Sequence, residues 1–438
     1  MGMEQDTTPT EKSSSRKLHE DACSVFPGGV SHNVRATEPY PIYIERTDGP
    51  FVYDVDGNRY VDFWNNHAAS LLGHTPDSVV DAVQSQAADG LHYGAMNEPT
   101  LELGMKILEH VPTAERVRFC ASGTEATMYA VRLARAYTGN DRILKVEGGW
   151  HGANSDLAIG VHPPFDQPTT HGLPPNIDES CLTFEENNHE AVIDLVEANR
   201  GEIAGLIIDP RKGGTEPTAA FLELLSDLAE DEGFLLIFDE VVTGFRVSPG
   251  SYQERVGITP DLTTLGKVIG GGMPVGALCG RADIFEPAKP NAPPETRVLA
   301  GGGTFSANPM TAVAGLATIE VLESEPVYEH TERLAERLRD GLDSMFEKEG
   351  VTGEALGFSS LIHPAFNAAG PIESLTDAKT MVDHQAAEEF CERLYEHGYY
   401  TSPGSMWNVS FAHTDEHIDG VLEASRDVIR ELKDDGHL

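Results

Sequence analysis

The sequence predicts an α/β fold built on a large, doubly wound and mostly parallel sheet with helices on both faces. Short apolar runs without polar alternation recur through the middle of the chain, as in Gly205-Leu-Ile-Ile208 and Phe234-Leu-Leu-Ile-Phe238. Strands of that kind are buried on both sides. Stretches of helical period separate them, at 100–110, 124–137 and 219–231, which is the alternation a doubly wound sheet requires.

Taken in order, residues 1–16 are polar and rich in Ser and Thr, and read as a flexible tail. From 42 to 63 the chain alternates and turns. Asp56-Gly57-Asn58 there marks a hairpin, because these residues tolerate positive φ. Val117-Arg-Phe-Cys-Ala121 is a short strand, and the helical stretch after it stops at Gly139. Beyond Ala312 helices dominate, with strand-like pieces at 359–363 and 409–412.

Composition narrows the function. The 438 residues suit two or three domains. Lys and Arg total 31 against 71 Asp and Glu, a net charge of −40. Such a field repels phosphate backbones and anionic lipid, so neither nucleic acid nor membrane is expected as a partner. The acids are spread along the chain and Arg outnumbers Lys. Either the surface is simply soluble, or it is adapted to high salt, where counterions screen the repulsion. Five scattered cysteines with no Cys-x-x-Cys pair argue against a disulfide framework or a metal site. They point to a reducing cytoplasm. The first twenty residues lack the apolar core of a signal peptide.

Three segments carry chemistry. In Ser122-Gly123-Thr124 a strand runs straight into a helix. Free N–H groups and two hydroxyls there make an anion cradle, although plain helix capping explains the same residues. Asp239 stands at the carboxyl end of an apolar strand, where α/β folds place ligands. It could pair with a protonated ring nitrogen or merely cap the next turn. Lys267 lies between Gly266 and Gly270-Gly271-Gly272 among apolar residues. Partial desolvation lowers a lysine from ~10.4 and frees its amine as a nucleophile. A surface lysine in a glycine loop is the competing reading. The glycine spacing does not match a dinucleotide loop.

Together these segments resemble the class III, fold type I, pyridoxal-phosphate aminotransferases. The likeness is greatest to the glutamate-1-semialdehyde aminomutase and β-amino-acid aminotransferase branch. It extends from about Phe26 to Asp419, through Phe26-Pro-Gly-Gly, Tyr53-Asp-Val-Asp-Gly-Asn-Arg-Tyr, Ser122-Gly-Thr-Glu-Ala, Gly149-Trp-His-Gly, Phe238-Asp-Glu-Val, Asp261-Leu-Thr-Thr-Leu-Gly-Lys and Gly303-Thr-Phe-Ser-Ala-Asn-Pro. The resemblance implies pyridoxal 5′-phosphate held as a Schiff base by Lys267, with Asp239 on the ring nitrogen. Ser122, Gly123 and Thr124 would hold the phosphate. Trp150 and Val241 would pack the two ring faces, and His151 would follow the aromatic in a direct or purely structural role. Thr304 would reach the phosphate of a neighbouring subunit, which implies a homodimer. Arg35 would pair with a substrate carboxylate, a task its planar fork suits, unless it serves a surface salt bridge.

The resemblance also implies a small domain drawn from both chain ends: 17–75 and 312–438, flanking a large cofactor domain at 76–311. The expected function is amino transfer between an amino acid or amine and a keto acid or aldehyde. Three alternatives stay open: an aminomutase, a racemase, or a cofactor-binding protein without turnover. Departures from the branch bear on the first. The segment Ser402-Pro-Gly-Ser-Met-Trp-Asn408 has neither the Glu nor the Arg of those enzymes, and Asp209-Pro210 stands where Glu-Pro is usual, followed by Arg211-Lys212-Gly-Gly. The loop after Ala153 reads Val161-His-Pro-Pro-Phe-Asp-Gln, without the small-residue gating stretch of the aminomutases.

Overall fold

The computed structural model describes residues 13–210, 214–401 and 406–438. The expected tail before residue 13, Arg211-Lys212-Gly213 and residues 402–405 lie outside the described residues. The tail expectation is corrected at its end, because Ser13–Ala22 is a helix. Its first turn is anchored where the Asp56 carboxylate accepts from the N–H groups of Ser14 (2.8 Å) and Ser15 (3.1 Å). These amides have no partner within their own helix.

Strands β1 (Ile44–Asp48), β2 (Phe51–Asp54) and β3 (Arg59–Asp62) form the predicted antiparallel element. Asp54 Oδ1 accepts from the N–H groups of Asp56 and Asn58 and so ties the turn. The large sheet contains β4 (Arg116–Cys120), β5 (Arg142–Val146), β6 (Cys181–Phe184), β7 (Ile203–Ile208), β8 (Leu235–Glu240), β9 (Leu262–Gly266) and β10 (Gly276–Gly280). Their spatial order is β4-β10-β9-β8-β7-β5-β6. Strands β6, β5, β7, β8 and β9 are parallel neighbours. Strand β10 runs antiparallel to both β9 and β4, because only residues 267–275 join it to β9 and a parallel crossover needs a dozen or more. Every residue of β7, β8, β9 and β10 is buried, as the unalternating apolar runs require.

In the third sheet, β11 (Gly353–Leu356) pairs with β12 (Leu361–Phe366). Strand β13 (Tyr399–Tyr400) joins β3 in parallel, and β14 (Trp407–Asn408) joins β12. The strand expected at 409–412 therefore sits two residues earlier.

The chain divides into two compact units. The terminal unit comprises 13–76, 329–369 and 382–438, and the central unit comprises 77–328 and 370–381. The expected boundary at 312 therefore moves to 328. Helix Pro309–Ser324 packs on helices Asp77–Asp89 and Glu98–His110 of the central unit. It also lies against the turn after β9, where a Cβ on Gly315 would come 2.2 Å from the Ile269 carbonyl oxygen. The return at 370–381 was not foreseen. The Leu375 N–H donates to Glu186 Oε2 (2.9 Å), Thr376 Oγ1 to Glu147 Oε2 (3.0 Å), and Asn187 Nδ2 to the Glu373 carbonyl (2.8 Å). Among the described residues no helix is long and apolar enough to cross a membrane.

Candidate cofactor site

The carboxyl ends of β4, β5, β7, β8 and β9 all deliver residues to one cavity of about 190 Å³. Its lining includes Gly123 and Thr124 after β4, Trp150 and His151 after β5, Asp209 after β7, Asp239 and Val241 from β8 and its turn, and Lys267 after β9. This is where parallel α/β sheets place ligands.

Lys267 opens a short 3-10 turn and has φ of 49°. A left-handed backbone is costly for a side-chain-bearing residue and is held in place only by its surroundings. The neighbouring strand presents Asp239, whose register partner on β9 is Thr264. Asp239 Oδ1 accepts from Thr264 Oγ1 (2.8 Å) and the Val241 N–H (3.3 Å), and Oδ2 lies 2.7 Å from His151 Nδ1. Burial pushes the Asp239 carboxyl up, but these bonds outweigh it and hold the group below the usual carboxylate range. Burial pushes the His151 imidazole down, so the pair is an Asp anion accepting a hydrogen bond from a neutral ring. His151 thus orients Asp239. Its Nε2 finds no hydrogen-bond partner among the described residues.

Helix Gly123–Thr138 begins at the cavity. Ser122 lies one residue outside the lining, and its hydroxyl accepts from the Glu125 N–H (3.2 Å) as a helix cap. Thr124 Oγ1 accepts from the Ala153 N–H (3.2 Å). The N–H groups of Gly123 and Thr124 have no preceding turn to serve them, and with the positive end of the helix they suit an anion. Space is reserved here too. A Cβ on Gly123 would meet Val241 at 2.8 Å, and one on Gly152 would meet Thr124 Oγ1 at 2.3 Å. Trp150 is 47% exposed, whereas His151 and Asp239 beside it are buried and Gly123, Thr124, Val241 and Lys267 are half-buried. Its ring, the anion cradle, the carboxylate and the amine together fit a phosphorylated, protonated aromatic aldehyde such as pyridoxal phosphate.

Thr304 lies in an exposed turn outside this lining. Arg35 belongs to the terminal unit, in a cavity of about 550 Å³ lined by Phe26, Val34, Trp64, His67 and Tyr400 among others. It donates from Nη1 to Ser31 Oγ (2.8 Å), and among the described residues no carboxylate pairs with it. That argues against the surface salt bridge. One wall of this cavity is strained, since Asn65, Asn66, His67 and Ala68 all have positive φ. Asp62 holds the turn through the N–H groups of Trp64 (2.7 Å) and Asn65 (3.0 Å).

Two contributors escaped the sequence reading. Thr264 was within a quoted motif, but only the β8–β9 register shows that it faces Asp239. Lys145 is a second lysine among apolar residues, fully buried on β5. Its existence weakens the argument that apolar surroundings single out Lys267; position at the cavity decides between them.

The Aminotransferase class-III family model matches residues 32–429. The glutamate-1-semialdehyde 2,1-aminomutase of Haloquadratum walsbyi is 38% identical over 446 residues, covering 95% of this chain and 99% of the relative. That of Haloarcula marismortui is 38% identical over 447 residues, covering 95% and 99%. Among solved structures, an omega-transaminase from Sphaerobacter thermophilus superimposes with a TM-score of 0.89 at 32% identity, covering 96% of this chain and 98% of that one. A β-phenylalanine aminotransferase from Variovorax paradoxus gives 0.87 at 32% identity, covering 96% and 94%.

Proposed function

This chain belongs to the class-III aminotransferase family, and from that premise we propose how its residues move an amino group between a donor amino acid or amine and an acceptor keto acid or aldehyde. Pyridoxal 5′-phosphate is the cofactor, and when bound it supplies an electron-withdrawing ring that stabilises negative charge on the substrate carbon. The observation that carries the assignment of roles is that Lys267 and Asp239 leave adjacent parallel strands and line one cavity with Trp150, Val241 and the Gly123–Thr124 amides.

Lys267 Nζ is the nucleophile that would anchor the cofactor, and once the donor amine has displaced it, it is the base that would take the proton from the reacting carbon and deliver it to the carbon on the other side of the shared nitrogen. The Asp239 anion keeps a proton on the ring nitrogen. Trp150 and Val241 pack the ring and exclude water from its faces. The amides of Gly123 and Thr124 hold the phosphate, and the Ser122 cap fixes the helix end that presents them.

Intermolecular transfer is the reading we favour, on the sequence departures at Asp209-Pro210 and 402–408 from the aminomutase pattern. The 38% identical relatives favour a second reading, isomerisation of glutamate-1-semialdehyde within one molecule. Purified enzyme given that substrate alone separates them. Sustained formation of the isomer with the amino group moved from carbon 2 to carbon 1, with no added acceptor, would establish the second reading. Stoichiometric conversion of a donor amine to its carbonyl product, restarted only by a keto acid or aldehyde, establishes the first.

Arg35 is proposed to hold a substrate carboxylate. Arg35→Ala should then raise KM for carboxylated donors and spare simple amines. A lost charge-assisted bond of about 1.5–3 kcal/mol corresponds to roughly 10- to 150-fold. Equal losses for both donor classes would assign Arg35 to structure.

A homodimer is proposed because the central unit leaves large apolar side chains in solvent, including Met96 at 84%, Leu299 at 70% and Phe305 at 65% exposed. Exposed apolar area on so charged a chain suits a protein partner, and Thr304 adjoins Phe305. We also propose a cytoplasmic, salt-adapted enzyme. At 0.01 M salt like charges act over about 30 Å, and at 1 M over about 3 Å, so a dimer joining two chains of −40 gains most from screening. Melting temperature and dimer fraction should rise steeply already below molar chloride. Sulfate at matched ionic strength controls for salt effects on apolar burial. A flat chloride profile would leave the acidic surface as ordinary solubility.

A further inference from the structure

A buried ammonium lies directly beneath the cofactor-site loop and does not line the cavity. Lys145, on β5, is completely buried, and its Nζ donates to the carbonyl oxygens of Gly149 (2.7 Å), Ile159 (2.8 Å) and Leu157 (3.0 Å). An ammonium has three donors and no acceptor, so all three are used. The acceptors belong to the segment that leaves β5, carries Trp150 and His151, and folds back past Ser155–Leu157. From the other side the segment is held by Thr127 Oγ1 donating to the His151 carbonyl (2.8 Å) and by the Ala153 N–H donating to Thr124 Oγ1 (3.2 Å). Apart from an isolated bridge between Ile159 and Pro168 the loop backbone is irregular, and the carbonyls of Gly149, Leu157 and Ile159 converge on one cation.

We propose that Lys145 is the positioning residue of the cofactor site: by gathering the carbonyls of Gly149, Leu157 and Ile159 it fixes where Trp150 stands and how His151 meets Asp239. The ammonium also acts on His151 through space. Burial is the main cause that keeps the imidazole neutral, and the Lys145 charge adds to it, while the Asp239 and Asp209 carboxylates oppose it. Burial pushes Lys145 itself down to about 8, so at neutral pH the charge is present. The neighbouring Cys181 thiol is pushed up to about 12 by burial and is uncharged. Lys145 therefore favours the neutral His151 that donates to Asp239, so removing its charge lets His151 protonate at higher pH.

The inference rests on the cofactor reading above, and the test separates the two. Lys145→Met removes all three bonds and the charge, whereas Lys145→Gln keeps two donors. Trp150 is the exposed indole, with Trp64 at 8% and Trp407 at 0%, so acrylamide quenching of the cofactor-free protein reports on Trp150. Its quenching constant should change in Lys145→Met and change less in Lys145→Gln. Titration with pyridoxal phosphate should show the dissociation constant raised at least about tenfold in Lys145→Met, as for a misplaced binding element. The acid limb of single-turnover amine consumption should move to higher pH in both variants. A lowered melting temperature with unchanged quenching, cofactor affinity and acid limb would make Lys145 a fold element only and overturn the proposal. If Lys145→Met does not purify folded, the same unchanged values in Lys145→Gln overturn it. Failure of the unaltered protein to bind pyridoxal phosphate would instead sink the cofactor reading, and the quenching result would still decide whether Lys145 sets the loop.

Discussion

Lys267→Ala is expected to abolish amino transfer, lowering kcat by roughly 10⁴- to 10⁶-fold, the scale on which loss of a nucleophile acts, with the fold preserved. The side chain is only half-buried at the cavity mouth, and Ala keeps the same backbone requirement at φ 49° that any side-chain-bearing residue meets there. Truncating a half-buried side chain that lines a cavity opens no void in the core, so the stability change should be small. The competing lysine provides an internal control. Borohydride reduction of the cofactor-loaded wild type, followed by peptide mass analysis, should place the cofactor mass on the peptide containing Lys267. None should appear on Lys145, whose three donors are already committed to carbonyls. A label on Lys145, or an alanine variant that turns over normally, would remove the central role from Lys267.

Asp239→Asn should lower the rate of the donor half-reaction by about 10²- to 10⁴-fold and leave cofactor retention nearly unchanged. An amide cannot hold the ring nitrogen protonated, so charge on the reacting carbon loses its sink. The substitution also disturbs the surroundings. Both Asp239 oxygens now receive donors, from Thr264 and Val241 on one side and His151 on the other. The NH₂ of Asn would point a donor at one of them. The phosphate contacts at Gly123 and Thr124 are untouched. Because the Asp239 carboxyl is held below the usual range, it stays ionised through neutral pH. Acid loss of activity in the wild type should therefore track another group, with His151 the nearest. An unchanged half-reaction rate at saturating cofactor would reduce Asp239 to a cap.

How much of this was legible in the sequence depends on how local each determinant is. Lys267, Asp239 and Ser122-Gly123-Thr124 announced themselves because each sits at the junction of an apolar strand with a turn, and such junctions are contiguous in sequence. The antiparallel strand β10 follows from the short stretch between Gly266 and Gly276, a constraint that the expectation of a mostly parallel sheet allowed without locating it. Lys145 could not be assigned, since its three acceptors are backbone carbonyls and carbonyls leave no mark on residue type. The left-handed run Asn65–Ala68 contains no glycine to betray it. It is imposed by Asp62 and by Asn408, to whose carbonyl Asn65 Nδ2 donates (2.6 Å). Ser122 illustrates an ambiguity that composition leaves open, for the same hydroxyl can cap a helix or bind an anion, and only geometry shows it capping.

The return of residues 370–381 to the central unit has a consequence for synthesis. The ribosome has made all seven strands of the large sheet once Gly280 is added, yet the buried Glu186 carboxylate still lacks the Leu375 N–H. Strand β3 likewise waits for β13 at Tyr399. Domains usually fold as units during translation, first made first folded. Here the nascent chain begins its terminal unit and lays down most of the central one, and it completes the central unit only when 370–381 have been added and the terminal unit only with 382–438. A chain stopped at residue 369 would carry every strand of the large sheet with Glu186 still lacking its Leu375 partner, and it should melt at a lower temperature than the full chain.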